Sequence, residues 1–317
     1  MKKNYREVLF FDAKFVTSSR SFTAPKQISA STLIKHIESL DLKKCRYEVL
    51  GGQEVYYIPD WKRVDENTVH LVINKSDKSL SDPTFSNVEE GTRRKVPKKV
   101  GEGQDVSAHV VLKPEYYGAG DARALLVMER SAISRTVLVS FFNYLLKQAA
   151  KKNENDYFQN HPDGELVNGK PKKYKVSSRL SLNGHLCNDF LKSLDTGKIL
   201  GIDLITQEST KSAIDQDEFL EEKRTIVEVQ VKEGFVGRVS SGVRKLIKER
   251  RVNQKFSHMR IRFEDCKGVP HSETLDLDNP QVEEYYTRKE RIRDLENLES
   301  SYENINDVII SRIESLI

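Results

Sequence analysis

Nine basic residues against a single acidic one, Glu249, lie between Arg238 and Arg262. They are Arg238, Arg244, Lys245, Lys248, Arg250, Arg251, Lys255, Arg260 and Arg262. A helix is expected over 238–251, with Val243, Leu246 and Ile247 turned inward. Arg244, Lys248 and Arg251 then share a face at spacings of four and three, with Lys245 beside them. A folded row of cations with few carboxylates among them suits the regularly repeating phosphates of a nucleic-acid backbone. Such contacts are salt-sensitive and carry little sequence information. No helix-turn-helix pair or zinc finger accompanies them, so base readout is not expected. A second basic knot, Arg93, Arg94, Lys95, Lys98 and Lys99, falls in a Gly- and Pro-containing stretch over 75–103, expected as a long loop.

Other chemistry is poorly supported. The seven histidines show no metal-ligand spacing, so no metal is expected. No cofactor is expected either: there is no Gly-x-x-x-x-Gly-Lys phosphate loop, and Tyr116-Tyr117-Gly118-Ala119-Gly120 lacks the strand–loop–helix context of a dinucleotide fingerprint. No Gly-x-Ser-x-Gly nucleophile elbow is present. Asp60, Asp65 and Glu66, with Lys75 downstream, invite comparison with a Mg²⁺-dependent nuclease, but the lysine is not at the Glu-x-Lys spacing. The expectation is therefore a non-enzymatic binder, with no catalytic residues. A metal-dependent nuclease effector and a protein–protein adaptor are the alternatives.

The chain has 317 residues, enough for two domains, with 37% hydrophobic and 32% charged residues. No apolar run approaches the roughly 20 residues that span a bilayer, and no signal-peptide pattern opens the chain. Three widely spaced cysteines argue against a disulfide framework. These features point to a reducing cytoplasmic setting, without direct membrane insertion. Charge is unevenly distributed. Residues 264–317 carry 14 acidic and 6 basic side chains. That net of −8, against +4 for the whole chain, leaves +12 on the remainder. The two ends should therefore face different partners.

Periodicity predicts strands at Glu7–Phe15, Arg46–Leu50, Val55–Ile58, Thr68–Ile73, Ser107–Leu112 and Ala124–Met128. Gly51-Gly52 marks a hairpin turn. Helices are expected up to Leu40 from a Ser29 or Ser31 cap, and from Ser131 to about Lys147. The Pro-Asp-Gly and Gly-Lys-Pro punctuation at 162–171 suggests a boundary, giving an N-terminal domain over 1–165 and a C-terminal domain over 166–317. The second half reads as strands near Tyr174–Leu182, Lys198–Thr206, Thr225–Lys232, His258–Phe263 and Thr274–Leu277. Short helices are expected at His185–Leu194 and Ser212–Glu222. Two acidic helices follow, about Asn279–Leu298 and Asn304–Leu316. Tyr285, Tyr286, Ile292, Leu295 and Leu298 on the first would form an apolar stripe for dimerisation. The fold class is α+β: two α+β domains with mixed, mainly antiparallel sheets and C-terminal helices.

The segment order resembles the RexA-type phage-exclusion proteins. The similarity runs from Ile28-Ser29-Ala30-Ser31-Thr32-Leu33 through Tyr56-Tyr57-Ile58-Pro59 and Asn74-Lys75-Ser76-Asp77-Lys78-Ser79-Leu80. It resumes after the basic helix at Phe256-Ser257-His258-Met259-Arg260-Ile261 and Ser272-Glu273-Thr274. The resemblance implies a cytoplasmic, homodimeric, two-domain protein that binds DNA without sequence preference; the form expected as partner is double-stranded DNA. It also implies a sensor role in phage exclusion, antiviral defence or abortive infection, with a membrane-protein partner. By position, the family's cationic surface maps to Arg238, Arg244, Lys245, Lys248 and Arg251. The insertion at Arg93–Lys99 and the extended acidic C-terminus depart from the family pattern.

Overall fold

A computed structural model describes residues 4–22, 24–161, 164, 166–167, 169–185, 198–206, 226–229, 256, 258–264, 270–276 and 288–317. In chain order the first strands and helices are β1 (Arg6–Ser19), α1 (Ala30–Glu38), β2 (Arg46–Val49), β3 (Glu54–Asp65) and β4 (Thr68–Asp77). Next come β5 (Thr84–Asn87), β6 (Thr92–Lys95), β7 (Gln104–Lys113), β8 (Arg123–Glu129) and α2 (Arg135–Lys152). Three short strands follow, β9 (Phe158–Asn160), β10 (Leu166–Val167) and β11 (Lys170–Pro171), and then the longer β12 (Lys173–Gly184). The second unit contributes β13 (Lys198–Ile205), β14 (Ile226–Val229), β15 (His258–Glu264) and β16 (Pro270–Asp276). The chain closes with β17 (Lys289–Ile292) and α3 (Asp307–Glu314).

The chain forms two units, and the division differs from the expected boundary at 165/166. Residues 1–183 and 289–317 make one unit, and residues 184–288 form the other as an insertion. The Pro- and Gly-rich stretch near 162–171 is a local interruption: β12, beyond it, joins the same sheet as β1. The C-terminal residues return to the first unit through β17, which pairs antiparallel with Arg6–Leu9 of β1. The sheet order is β2-β3-β4-β7-β8-β1-β12-β9, with β17 also on β1. The class is α+β, with mainly antiparallel sheets.

Alternation along the central strands gives this sheet two apolar faces, which is why its strands read as near-continuous hydrophobic runs. Leu9, Phe11, Ala13 and Phe15 of β1 join Leu126 and Met128 of β8 on the face covered by α1 and α2. Leu33, Ile34 and Ile37 of α1 and Leu138, Phe141, Phe142 and Leu145 of α2 supply the facing layer. Ser29 and Ser134 cap these helices, accepting from the Thr32 and Val137 amides. The cap of α2 is Ser134, three residues beyond Ser131, so the helix starts later than expected. On the opposite face Val8, Phe10, Val111, Leu125 and Val127 pack with Ile292, Leu295, Ile309, Ile310 and Ile313.

That second face corrects the reading of the C-terminus. Residues 279–287, including Tyr285 and Tyr286, lie outside the described residues, but Lys289–Ile292 is strand rather than helix. Ile292 and Leu295 are 4% and 2% exposed in the core of their own chain, so they are not available as a dimerisation stripe. The edge of β1 offered backbone pairing, and the second face of the sheet needed a cover. Pairing and burial together outweigh helix propensity here. The final helix, α3, is present, with Asn306 as its cap. The stretch over 75–103 is also more ordered than a loop: β4 runs to Asp77, and β5 and β6 form a hairpin.

The inserted unit has a four-stranded antiparallel sheet in the order β14-β13-β15-β16. Ile202, Leu204, Met259, Ile261 and Phe263 are buried within it. The helices expected at His185–Leu194, Ser212–Glu222 and 238–251 lie outside the described residues, His185 apart.

Candidate nucleic-acid interface and a polar cleft

Among the expected phosphate-binding residues, Arg238, Arg244, Lys245, Lys248, Arg251 and Lys255 lie outside the described residues. Arg93, Arg94 and Lys98 are described. Arg93 and Arg94 sit on β6, in a two-stranded ribbon whose eight strand residues are all exposed. The register pairs Ser86 with Arg93, Phe85 with Arg94 and Thr84 with Lys95. Directly opposed residues share a face, so Arg94 and Phe85 project together. The Arg94 guanidinium lies 5.4 Å from the Phe85 ring centre, and Phe85 is 56% exposed. Arg93 projects from the other face with Lys95, whose ammonium is paired with Asp82 at 3.0 Å. Among the described residues, neither Arg93 nor Arg94 has a carboxylate within ion-pair distance. Lys98 differs: its ammonium donates to the Lys78 carbonyl at 2.9 Å and to the Leu80 carbonyl, tying down the base of the ribbon.

The other cations of the basic run that are described, Arg260 and Arg262, are internally neutralised. Arg262 donates to Asp203 at 3.0 Å and to Glu228 at 2.8 Å, and Arg260 lies 3.8 Å from Asp203. The hydrogen bond that Arg262 donates to Glu228 is the foremost cause holding the Arg262 guanidinium's pKa above its ordinary value. The two arginines are alternate residues of β15, and the sheet places them beside the acids of β13 and β14.

The nuclease-like acids do not converge. Asp60 accepts the Ile305 amide at 2.9 Å, and Asp65 caps the β3–β4 turn by accepting the Asn67 amide at 2.7 Å. Asp65 pairs with Thr68 at one end of β4, and Lys75 pairs with Tyr56 near the other. Lys75 instead bridges Glu54 at 2.7 Å and Asp77 at 3.0 Å. Burial alone would lower the Lys75 pKa, but the bonds to Glu54 and Asp77 win and raise it. Among the described residues, no group of three or more His, Cys, Asp or Glu side chains is placed to hold a metal ion.

A cleft of about 360 Å³ opens beside this strand pair, lined by Lys43, Arg46, Tyr57, Pro59, Asn74, Asp105, Ser301 and Glu303. Its position follows from the register. Tyr57 of β3 stands opposite Asn74 of β4, which in turn stands opposite Ser107 of β7. Between Tyr57 and Asp60 the register shifts at a bulge containing Pro59, which has no N–H to give the ladder. The bulge turns both Tyr57 and Asp60 toward the returning segment 300–306. That segment is held to β7 by a Ser107 amide bond to the Ser300 carbonyl at 3.0 Å and a Tyr302 amide bond to Ser107 Oγ at 3.1 Å.

Asn74 is 2% exposed and its amide group organises the cleft floor. Nδ2 lies within donating distance of Asp105 Oδ2 at 2.7 Å, the Tyr302 carbonyl at 3.0 Å, Ser301 Oγ at 3.2 Å and Tyr57 Oη at 3.4 Å. An amide turned the other way would set its oxygen against Asp105 and a carbonyl, so this orientation is fixed. Asn74 Oδ1 is buried with no donor, a loss of about 1–3 kcal/mol for an unsatisfied group. Asp105 accepts from three neutral donors: Asn74, Tyr57 Oη at 3.2 Å, and Ser301 Oγ in a short bond. Burial pushes the Tyr57 phenol above its ordinary pKa, so it stays protonated and donating. Arg46 lies over the Tyr57 ring, 4.9 Å from its centre, and donates to the Lys43 and Cys45 carbonyls.

Sequence reasoning did not single out this cleft. A signal was present: Asp105, Ser107 and His109 alternate along a strand where a doubly covered sheet would place apolar side chains. Comparisons with family models, curated proteins and solved structures find no match.

Proposed function

We propose that this protein binds nucleic acid through its phosphate backbone, without sequence preference, and that duplex DNA is its main ligand. The observation that carries the reading is the pair Arg93 and Arg94. They stand on an exposed antiparallel ribbon with no carboxylate partner among the described residues, whereas Lys75, Lys95, Arg123 and Arg262 are all ion-paired. Two-stranded ribbons fit the major groove, and guanidinium groups suit phosphate oxygens. Phe85 adds a ring beside Arg94 for contact with an exposed base or sugar. Glu89 and Glu90 at the ribbon tip disfavour phosphate there, so contact runs along the strands. The basic run at 238–251, read from the sequence, supplies further phosphate-binding candidates.

The resemblance to phage-exclusion proteins supports a role in antiphage defence as a dimeric sensor working with a membrane partner. Among the described residues no helix is long and apolar enough to cross a membrane.

Anisotropy titrations with labelled duplex DNA, single-stranded DNA and RNA from ~50 to ~200 mM salt test the reading. Affinity should fall steeply with salt and be indifferent to sequence. It should weaken in Arg93→Ala/Arg94→Ala and in Lys245→Ala/Lys248→Ala/Arg251→Ala. Salt-independent binding, or affinity unchanged in both variants, would sink it. An adjacent gene for a multi-span membrane protein would support the defence role.

A further inference from the structure

We infer that the cleft between β3, β4 and the returning 300–306 segment binds a small zwitterion, of the amino-acid class, with its ammonium inward and its acid group at the rim. The cleft is lined by charges of both signs, with Asp105 less exposed than Lys43, Arg46 and Glu303. Lys43 and Arg46 are exposed, and among the described residues Lys43 has no ion-pair partner. The floor offers acceptors. Asp105 is partly buried and its hydrogen bonds come from an amide, a phenol and a hydroxyl, none of which cancels its charge. Asn74 turns its Nδ2 to this side and holds Asp105 in place, while its Oδ1 is closed off from solvent. Glu303 adds a second carboxylate without an ion-pair partner among the described residues.

Two carboxylates without a counter-charge among the described residues, Asp105 and Glu303, call for a cationic group with several N–H donors. An ammonium supplies three. The basic rim calls for a carboxylate or phosphate on the same molecule. A cation alone would leave Lys43 and Arg46 unanswered, and an anion alone would face Asp105 and Glu303. The volume of about 360 Å³ is near the lower end for small-molecule sites and far too small for a duplex. The donor set is also wrong for a metal, since no three-ligand cluster stands there among the described residues. Two lining residues, Ser301 and Glu303, lie on the returning segment, so an occupied cleft also fastens that segment to the sheet.

Isothermal titration of the full chain with the free proteinogenic L-amino acids tests this, with inorganic phosphate and spermidine as single-charge probes. At least one amino acid should bind saturably. Its affinity should fall ~10-fold in Lys43→Ala and in Glu303→Gln, as expected for one lost charge-assisted contact. Both sites are exposed, so melting temperatures should stay at the wild-type value. Binding should also slow amide exchange over 299–306. The inference is overturned if no amino acid binds. Phosphate or spermidine alone binding as tightly as the best amino acid overturns it too, as does affinity indifferent to both substitutions.

Discussion

The backbone amide of Asn306 donates to Nε2 of His109 at 3.0 Å, joining the cap of the last helix to a central strand 197 residues away. An amide can only donate, so Nε2 accepts and the ring proton sits on Nδ1. That proton is donated to Glu129 Oε2 at 2.8 Å, and the other oxygen of Glu129 takes Arg6 in a short bond. Both His109 and Glu129 are fully buried. Arg6 also donates to the Glu299 carbonyl at 2.7 Å. One buried carboxylate thus orients two side chains, and both of them hold the C-terminal segment.

Glu129→Gln should therefore destabilise the fold by about 3–5 kcal/mol, since it removes the carboxylate charge from a buried ion pair with Arg6. His109→Ala should cost about 2–4 kcal/mol through the cavity, the orphaned Asn306 amide and the lost donor to Glu129. Exposed Glu296→Gln should stay within ~0.5 kcal/mol of wild type. Urea unfolding curves read all three, and a Glu129→Gln midpoint equal to that of Glu296→Gln would remove the carboxylate from this role.

Gly103→Ala should also destabilise. A Cβ there would lie 2.8 Å from the Asp77 backbone nitrogen and carbonyl carbon and 2.5 Å from Ser76 Oγ. Backbone cannot step aside as a side-chain end can, so the start of β7 must shift from β4, at about 1–3 kcal/mol. Gly101→Ala lacks such neighbours, although its φ of +89° strains any substitution. Amide exchange of Gln104 and Asp105 should accelerate in Gly103→Ala, and unchanged protection would contradict the contact.

Asp77 gives a pH signature. The Ser79 hydroxyl donates to it at 2.6 Å and the Lys75 ammonium lies at 3.0 Å. With the Ser79 bond foremost and Lys75 assisting against the opposing effect of burial, its pKa is held down to about 2, below the ordinary 3.8. A carboxyl depressed on folding contributes stability that is complete above its unfolded pKa and lost as pH falls through the folded one. The stability gap between wild type and Asp77→Asn should thus be constant from neutral pH to about 4 and shrink between about 4 and 2. A gap that does not narrow below pH 4 would show that Asp77 is not the group responsible.

The ribbon should separate binding from stability. Arg93→Ala/Arg94→Ala removes two exposed cations, so the unfolding midpoint should not move. The slope of log affinity against log salt should fall by about 2 if each arginine neutralises one phosphate. Phe85→Ala should weaken single-stranded ligands more than duplex, because only unstacked bases present a face to the ring. Equal losses on both ligands would assign Phe85 to packing against Arg94.

Local pattern determined a good deal of this molecule. Period-2 and continuous apolar runs marked β1, β4, β7 and β8, Ser29 or Ser31 marked the start of α1, where Ser29 is the cap, and Gly51-Gly52 marked the β2–β3 turn, where both glycines adopt positive φ. These signals act within a few residues, and local sterics and hydrogen bonding set them. Tertiary structure alone decided that Lys289–Ile292 is a strand on β1, that Ile292 and Leu295 are core, and that Arg260 and Arg262 are neutralised by Asp203 and Glu228. It also brought Asn74, Asp105 and Ser301 into one cleft. Each of these depends on partners far away in the chain. The free energy of closing such contacts comes from burial and pairing across the sheet, which no window of neighbouring residues contains.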